Sequence, residues 1–186
     1  MSVQTRPLTY DDLCQTPDDG NRYEIIDGEL IVSPAPNLDH QRLLGELFAL
    51  VRGYVRQHRL GRVFLAPVDV RLSAHDVVEP DLLFIRRERR DIYGSRRYVQ
   101  GPPDLVVEII SPSSEKTDPG RKFDLYASSG VPEYWLMDPA TRRFQLFVLR
   151  EGRYEEMAAE AEHLRSEVIP GLVVDPGALF AELDQD

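Results

Sequence analysis

The stretch Asp104-Leu105-Val106-Val107-Glu108-Ile109-Ile110-Ser111 decides how the chain is read. From Leu105 to Ile110 it is apolar except at Glu108, the pattern of a strand covered on both faces in the middle of a sheet. An unpaired carboxylate in that setting costs several kcal/mol, so Glu108 must be neutralised, paired or bound to a metal. Metal ligation is the option that uses the charge. A salt bridge to a buried arginine, or a strand that turns Glu108 to solvent at an edge, are the alternatives.

Working outward, Asp118-Pro119 supplies an N-cap and a first helical residue, and Phe123, Tyr126 and Ala127 form the apolar stripe of a short helix that ends by Ser128 to Gly130. Lys122 lies one turn past the cap and Tyr126 one turn further on the same face, so the helix can bring an ammonium to the end of the strand bearing Glu108. Only Lys116 and Lys122 are lysines, and both fall within 14 residues of Glu108. A lysine can shift its pKa and position or deprotonate a water, which arginine cannot; the other reading is a solvated helix lysine. On the upstream side, Asp81 follows Pro80 in a β-prone run from Val77 to Ile85, where the proline limits ladder bonding. Asp81, Glu108 and the Ile109 backbone carbonyl make a half-shell suited to a hard cation such as Mg²⁺ or Mn²⁺, provided the two strands are neighbours.

The remaining elements read as an α/β (α+β) chain. Thr9 opens a short helix through Asp11, Asp12 and Leu13, and Asp27-Gly28 between two β-prone runs predicts a hairpin over about 22 to 33. Leu43, Leu44, Leu47, Leu50, Val51, Tyr54 and Val55 mark one face of a long amphipathic helix capped by Asn37 or Asp39 and ending near Gly61. Val63 to Leu72 and Val77 to Ile85 read as an antiparallel pair, and Pro132 to Met137, Arg142 to Arg150 and Arg153 to Ala158 as a meander. The tail from Val168 to Phe180 reads as short strand, turn and helix.

At 186 residues the chain is sized for a single domain over 1–186, with a lead-in over 1–20 and a core over about 20–175. Cys14, the only cysteine, excludes an intrachain disulfide or a thiolate zinc site and fits a cytoplasmic setting. No stretch is apolar enough to span a bilayer. The net charge of −10 repels nucleic acid at long range, so attraction to DNA has to be local. The run holding Arg86, Arg87, Arg89, Arg90, Arg96 and Arg97 is the candidate for that local contact, against the plainer reading of a solvated loop or short helix. Ser111 and Ser113 lack a histidine partner for nucleophilic chemistry. His40 opens the long helix, where it can touch a phosphate, orient a carboxylate or simply sit at the surface.

The order Tyr23-Glu24 with Asp27-Gly28, His40, Pro80-Asp81, Val107-Glu108-Ile109-Ile110-Ser111-Pro112-Ser113, Asp118, Lys122, Tyr126 and Gly130-Val131-Pro132-Glu133-Tyr134-Trp135 resembles the Uma-type restriction endonuclease family over about residues 20 to 175. That resemblance implies the PD-(D/E)XK superfamily: a mixed central sheet flanked by helices, with a divalent metal at the acidic pair. It also implies that Glu24 approaches the same site as a further acid, where the hairpin alone allows an exposed glutamate. The superfamily lysine stands two residues after the acid, but here that position is Ile110, and Lys122 is the replacement.

The expected activity is Mg²⁺- or Mn²⁺-dependent hydrolysis of DNA phosphodiesters by Asp81, Glu108 and Lys122, supported by Glu24, His40 and Tyr126, in a symmetric dimer if both strands are cut. The rivals are a non-catalytic binding or assembly module on the same fold, and a metal-dependent hydrolase of smaller phosphate esters.

Overall fold

The computed structural model describes residues 6–94, 97–110 and 119–184. A short helix α1 (Tyr10–Leu13) leads to the hairpin of β1 (Arg22–Ile26) and β2 (Glu29–Ser33). At its tip Asp27 and Gly28 hold φ of 53° and 75°, the left-handed pair that a two-residue Asp-Gly turn requires. The Asn37 side chain accepts the His40 N–H to cap α2 (Leu38–His58), and Arg59 ends that helix at φ 57°.

The two β-prone runs that follow are each divided between sheets. The first yields β3 (Gly61–Leu65) and β4 (Val70–Arg71), the second β5 (Val77–Val78) and β6 (Leu82–Arg86). Pairing is antiparallel, β3 with β6 and β4 with β5, but Pro67 and Pro80, which cannot donate to a ladder, stand where the chain leaves one sheet for the other. The arginine-rich segment forms a 3₁₀ helix (Arg87–Tyr93), followed by β7 (Val99–Gln100), β8 (Leu105–Ile109) and α3 (Pro119–Ser128). The Asp118 cap, Lys116, and Ser111, Pro112 and Ser113 lie outside the described residues. The meander is β9 (Glu133–Asp138), β10 (Arg143–Arg150) and β11 (Arg153–Glu156), and the tail holds β12 (Leu164–Arg165), β13 (Val173–Val174) and α4 (Pro176–Ala181).

The strand singled out from sequence sits inside a six-stranded sheet of order β11-β10-β9-β8-β6-β3. Its five residues are all buried, between antiparallel β6 and parallel β9. Strand alternation then sorts its side chains. Leu105, Val107 and Ile109 pack with Leu43, Leu47, Val51 and Val55 of α2. Val106 packs on the opposite face with Leu83, Ile85, Tyr126 and Tyr134, and Glu108, two residues on, shares that side.

A second sheet, β2-β1-β5-β4-β7, covers that opposite face, contributing Ile26, Val70, Val78 and Val99 to the shared core. Because Ile26 points into this core while Ile25 packs with Leu13 and Val77, Arg22 and Glu24 share the inward side with Ile26. The hairpin therefore delivers two charged residues to the layer between the sheets. Gly61 permits β3 to lie close on β6: a Cβ there would stand 2.1 Å from the Ile85 carbonyl oxygen.

Glu133, fully buried beside the central strand, fastens the tail to the sheet. Its Oε1 accepts from Trp135 Nε1 and Ser166 Oγ, both at 2.8 Å, and its Oε2 accepts the N–H groups of Glu167 at 2.7 Å and Val168 at 3.2 Å. Removing the carboxylate orphans four donors, three of them buried. Glu133→Ala should cost about 3 kcal/mol or more, read by urea unfolding from the fluorescence of Trp135, the only tryptophan.

Candidate active site

Asp81 lies immediately before β6, 1% exposed, and both its oxygens are engaged. Oδ1 accepts from Arg22 Nη2 at 2.9 Å; Oδ2 lies 3.0 Å from His40 Nε2 and accepts the Ile109 N–H at 2.7 Å. The last bond ties Asp81 to the end of β8, which makes the two strands neighbours at the point where chemistry was expected. His40, in the first turn of α2, is buried and serves Asp81 rather than solvent.

Glu108 Oε1 accepts from Lys122 Nζ at 3.0 Å and from the Tyr126 hydroxyl at 2.7 Å. These donors come from successive turns of α3, the placement that the four-residue spacing predicts. Lys122 also lies 2.8 Å from Glu24 Oε1, an oxygen that accepts the Glu79 N–H at 2.7 Å. Glu24 is thus buried in the site and is not an exposed hairpin residue. Arg22 and Glu79, not among the residues expected from sequence, complete the site: Arg22 Nε stands 3.0 Å from Glu79 Oε1 while its other arm holds Asp81. The signals were present, since Arg22 precedes Glu24 by one strand period and Glu79 directly precedes Pro80-Asp81.

Charge governs the behaviour of this cluster. Four carboxylates, Glu24, Glu79, Asp81 and Glu108, face two permanent cations, Arg22 and Lys122. Burial, reinforced by Asp81 and Glu24 and opposed by Lys122 and Arg22, pushes the Glu108 carboxyl up to about 7. Asp81 goes the other way: burial opposes its charge, but the His40 bond and Arg22 hold it below the usual carboxylate range. Burial likewise opposes the Lys122 ammonium, yet Glu108 and Glu24 raise it above an ordinary lysine, so it stays protonated at neutral pH.

No group of three or more His, Cys, Asp or Glu among the described residues is arranged to hold a metal ion. The chemistry of the donors nevertheless fits a hard divalent cation. Mg²⁺ commonly uses one or two carboxylates with water completing its shell, and the cluster sets four carboxylates against two permanent cations. Glu79 also lines a cavity of about 420 Å³ with Phe64, Asp69, Tyr93 and Tyr98, an opening beside the cluster.

The arginine run does not act as one face. Arg86 lies 3.7 Å and Arg89 3.0 Å from Asp104, and Arg89 also donates to the Pro102 carbonyl. Arg87 and Arg90 line a separate cavity, Arg97 lines that of Glu79, and Arg96 lies outside the described residues.

The family model of Uma2, described as "Putative restriction endonuclease", matches residues 8–177. Among solved structures, a protein from Anabaena variabilis described as a "putative nuclease belonging to DUF820" superposes with a TM-score of 0.78 at 21% identity, over 95% of this chain and 99% of that one. Comparison with curated proteins finds no match. No helix among the described residues is long and apolar enough to cross a membrane.

Lys122→Met tests the electrostatics directly. Without the ammonium, Glu108 should titrate above its wild-type value near 7, followed by the ¹³C shift of its carboxyl carbon. A carboxyl whose folded pKa exceeds its unfolded value favours the folded state at low pH. Its contribution is lost as pH rises from 4.5 through about 7, and the variant should extend that loss to higher pH in thermal unfolding.

Proposed function

This chain belongs to the Uma2 family of restriction-endonuclease-like proteins, and from that premise we propose that it is a metal-dependent endonuclease acting on DNA. The observation that carries the proposal is the convergence of Asp81, Glu108 and Lys122 between the two sheets, with Glu24 on the same ammonium. Asp81, Glu108 and the Ile109 carbonyl would hold Mg²⁺ or Mn²⁺. When bound, such an ion supplies Lewis-acid polarisation of the phosphate and a water of lowered pKa.

The chain's own groups have distinct tasks. Lys122, kept cationic by Glu108 and Glu24, orients the attacking water and offsets negative charge developing on the phosphate. Tyr126 fixes the Glu108 carboxylate through its hydroxyl. His40 and Arg22 orient Asp81, and Glu79 keeps Arg22 in place. Cutting both strands of a duplex takes two such sites, so the proposed active form is a symmetric dimer.

One observation favours the rival, a non-catalytic module: both Asp81 oxygens are already taken by Arg22, His40 and the Ile109 N–H. Two measurements separate the readings. Supercoiled DNA with Mg²⁺ or Mn²⁺ should be nicked by the wild type, with the rate falling at least about 100-fold in Asp81→Ala, Glu108→Ala and Lys122→Ala. Equal activity in all four proteins would assign the cutting to a contaminant. In parallel, Mn²⁺ should raise the unfolding temperature of the wild type and not that of Asp81→Ala; absence of both effects favours the module.

A further inference from the structure

Far from the acidic cluster, six arginines gather on one cavity of about 710 Å³: Arg52, Arg56 and Arg59 from the C-terminal end of α2, Arg62 from β3, and Arg87 and Arg90 from the 3₁₀ helix. Local geometry explains the gathering. Positions three and four apart share a face of α2. The 3₁₀ segment is kinked at Arg89, where φ of −101° and ψ of 20° leave the helical region; Arg87, Arg90 and Tyr93 line the cavity, while Arg89 turns to Asp104. The arginines that form ion pairs among the described residues are others. Among the described residues, no acidic residue lines the cavity. In a chain of net charge −10, this is a concentrated positive surface.

Its position relative to the acids follows from the strands and the helix. Along β6, Asp81 and Arg87 stand at opposite ends, roughly 20 Å apart at the usual strand rise. Along α2, His40 and Arg56 are separated by about 24 Å at the helical rise. Tyr93 lines both this cavity and the one reached by Glu79, so the two openings adjoin along β3, the edge strand of its sheet.

We infer that this arginine cleft binds the phosphodiester backbone of duplex DNA at a distance from the acidic cluster. The planar guanidinium fork matches phosphate oxygens. A duplex strand presents one phosphate about every 3.4 Å along its axis, so roughly 20 Å corresponds to about six base-pair steps between cleft and acids. The cleft supplies the local attraction that the net charge denies, while the acids would receive only the phosphate to be cut. This inference rests on the nuclease reading for its choice of ligand.

The test measures binding, not cleavage: anisotropy of a fluorescein-labelled duplex long enough to span both ends of the sheet, in EDTA, across a salt series from about 50 to 200 mM. Replacing Arg56, Arg59 and Arg62 together by alanine should lower the slope of log K against log salt by close to three, at about 0.9 per lost contact. A second variant, Arg87→Ala with Arg90→Ala, should lower it by close to two, and Arg142→Ala with Arg150→Ala should leave it unchanged. Unchanged slopes in both cleft variants, or no binding by the wild type at the lowest salt, would overturn the inference. A wild type that binds with the expected slopes yet never cuts DNA would sink the nuclease reading and leave the cleft standing.

Discussion

Placing a carboxylate at the centre of a sheet sets the terms for everything around Glu108. A charge there survives only with partners that replace its lost water, and β8 itself supplies none to the side chain. The partners come from elsewhere: Lys122 and Tyr126 from α3, with Arg22 and Glu24 from the hairpin joining through Lys122 and Asp81. The docking of α3 and of the second sheet is thus coupled to one ionisable residue. Conversely, each of those elements carries a charge it could not bury without the others.

Glu133 and Glu108 are instructive side by side. Both are glutamates on neighbouring strands of one sheet, and both have carboxyls raised first by burial. Glu133 is met by neutral donors at both oxygens and closes upon itself as a structural clasp. Glu108 is met at one oxygen by a cation and a hydroxyl, in the company of other acids. The difference in neighbours, not in burial, separates a structural fastening from a cluster of mutually perturbed charges.

Much of this could be read in advance because local physics determines it. Asp27-Gly28 admits little besides a tight turn, and the spacing of Leu43, Leu47 and Val51 fixes which side of α2 is buried. The buried run around Glu108 identified the central strand, and Lys122 and Tyr126 could be placed together from helical spacing. What escaped depends on how sheets pack. Whether Glu24 and Arg22 face solvent or a second sheet is invisible to a strand's own alternation, because both faces of β1 turn out to be covered. The division of two strand-like runs between sheets hinged on Pro67 and Pro80, whose effect on pairing partners lies beyond their immediate neighbours. The arginine run was read as one stretch, whereas a kink at Arg89 divides it between Asp104 and the cleft.

Helix α2 is more than a wall of the core. It runs unbroken from His40 at the acids to Arg56 at the arginines, with the positive end of its macrodipole toward Asp81 and the negative end toward the guanidinium groups. It therefore acts as a gauge block, fixing the separation of two oppositely charged stations while favouring the charge at each. Such a gauge cannot be lengthened gradually. One inserted residue would advance the far end by about 1.5 Å and swing it by about 100°, taking Arg56 off the cleft while His40 stayed in place. The length of this helix is held in register from both ends at once, so the spacing between acids and arginines can change only by whole turns or by rebuilding one of the two.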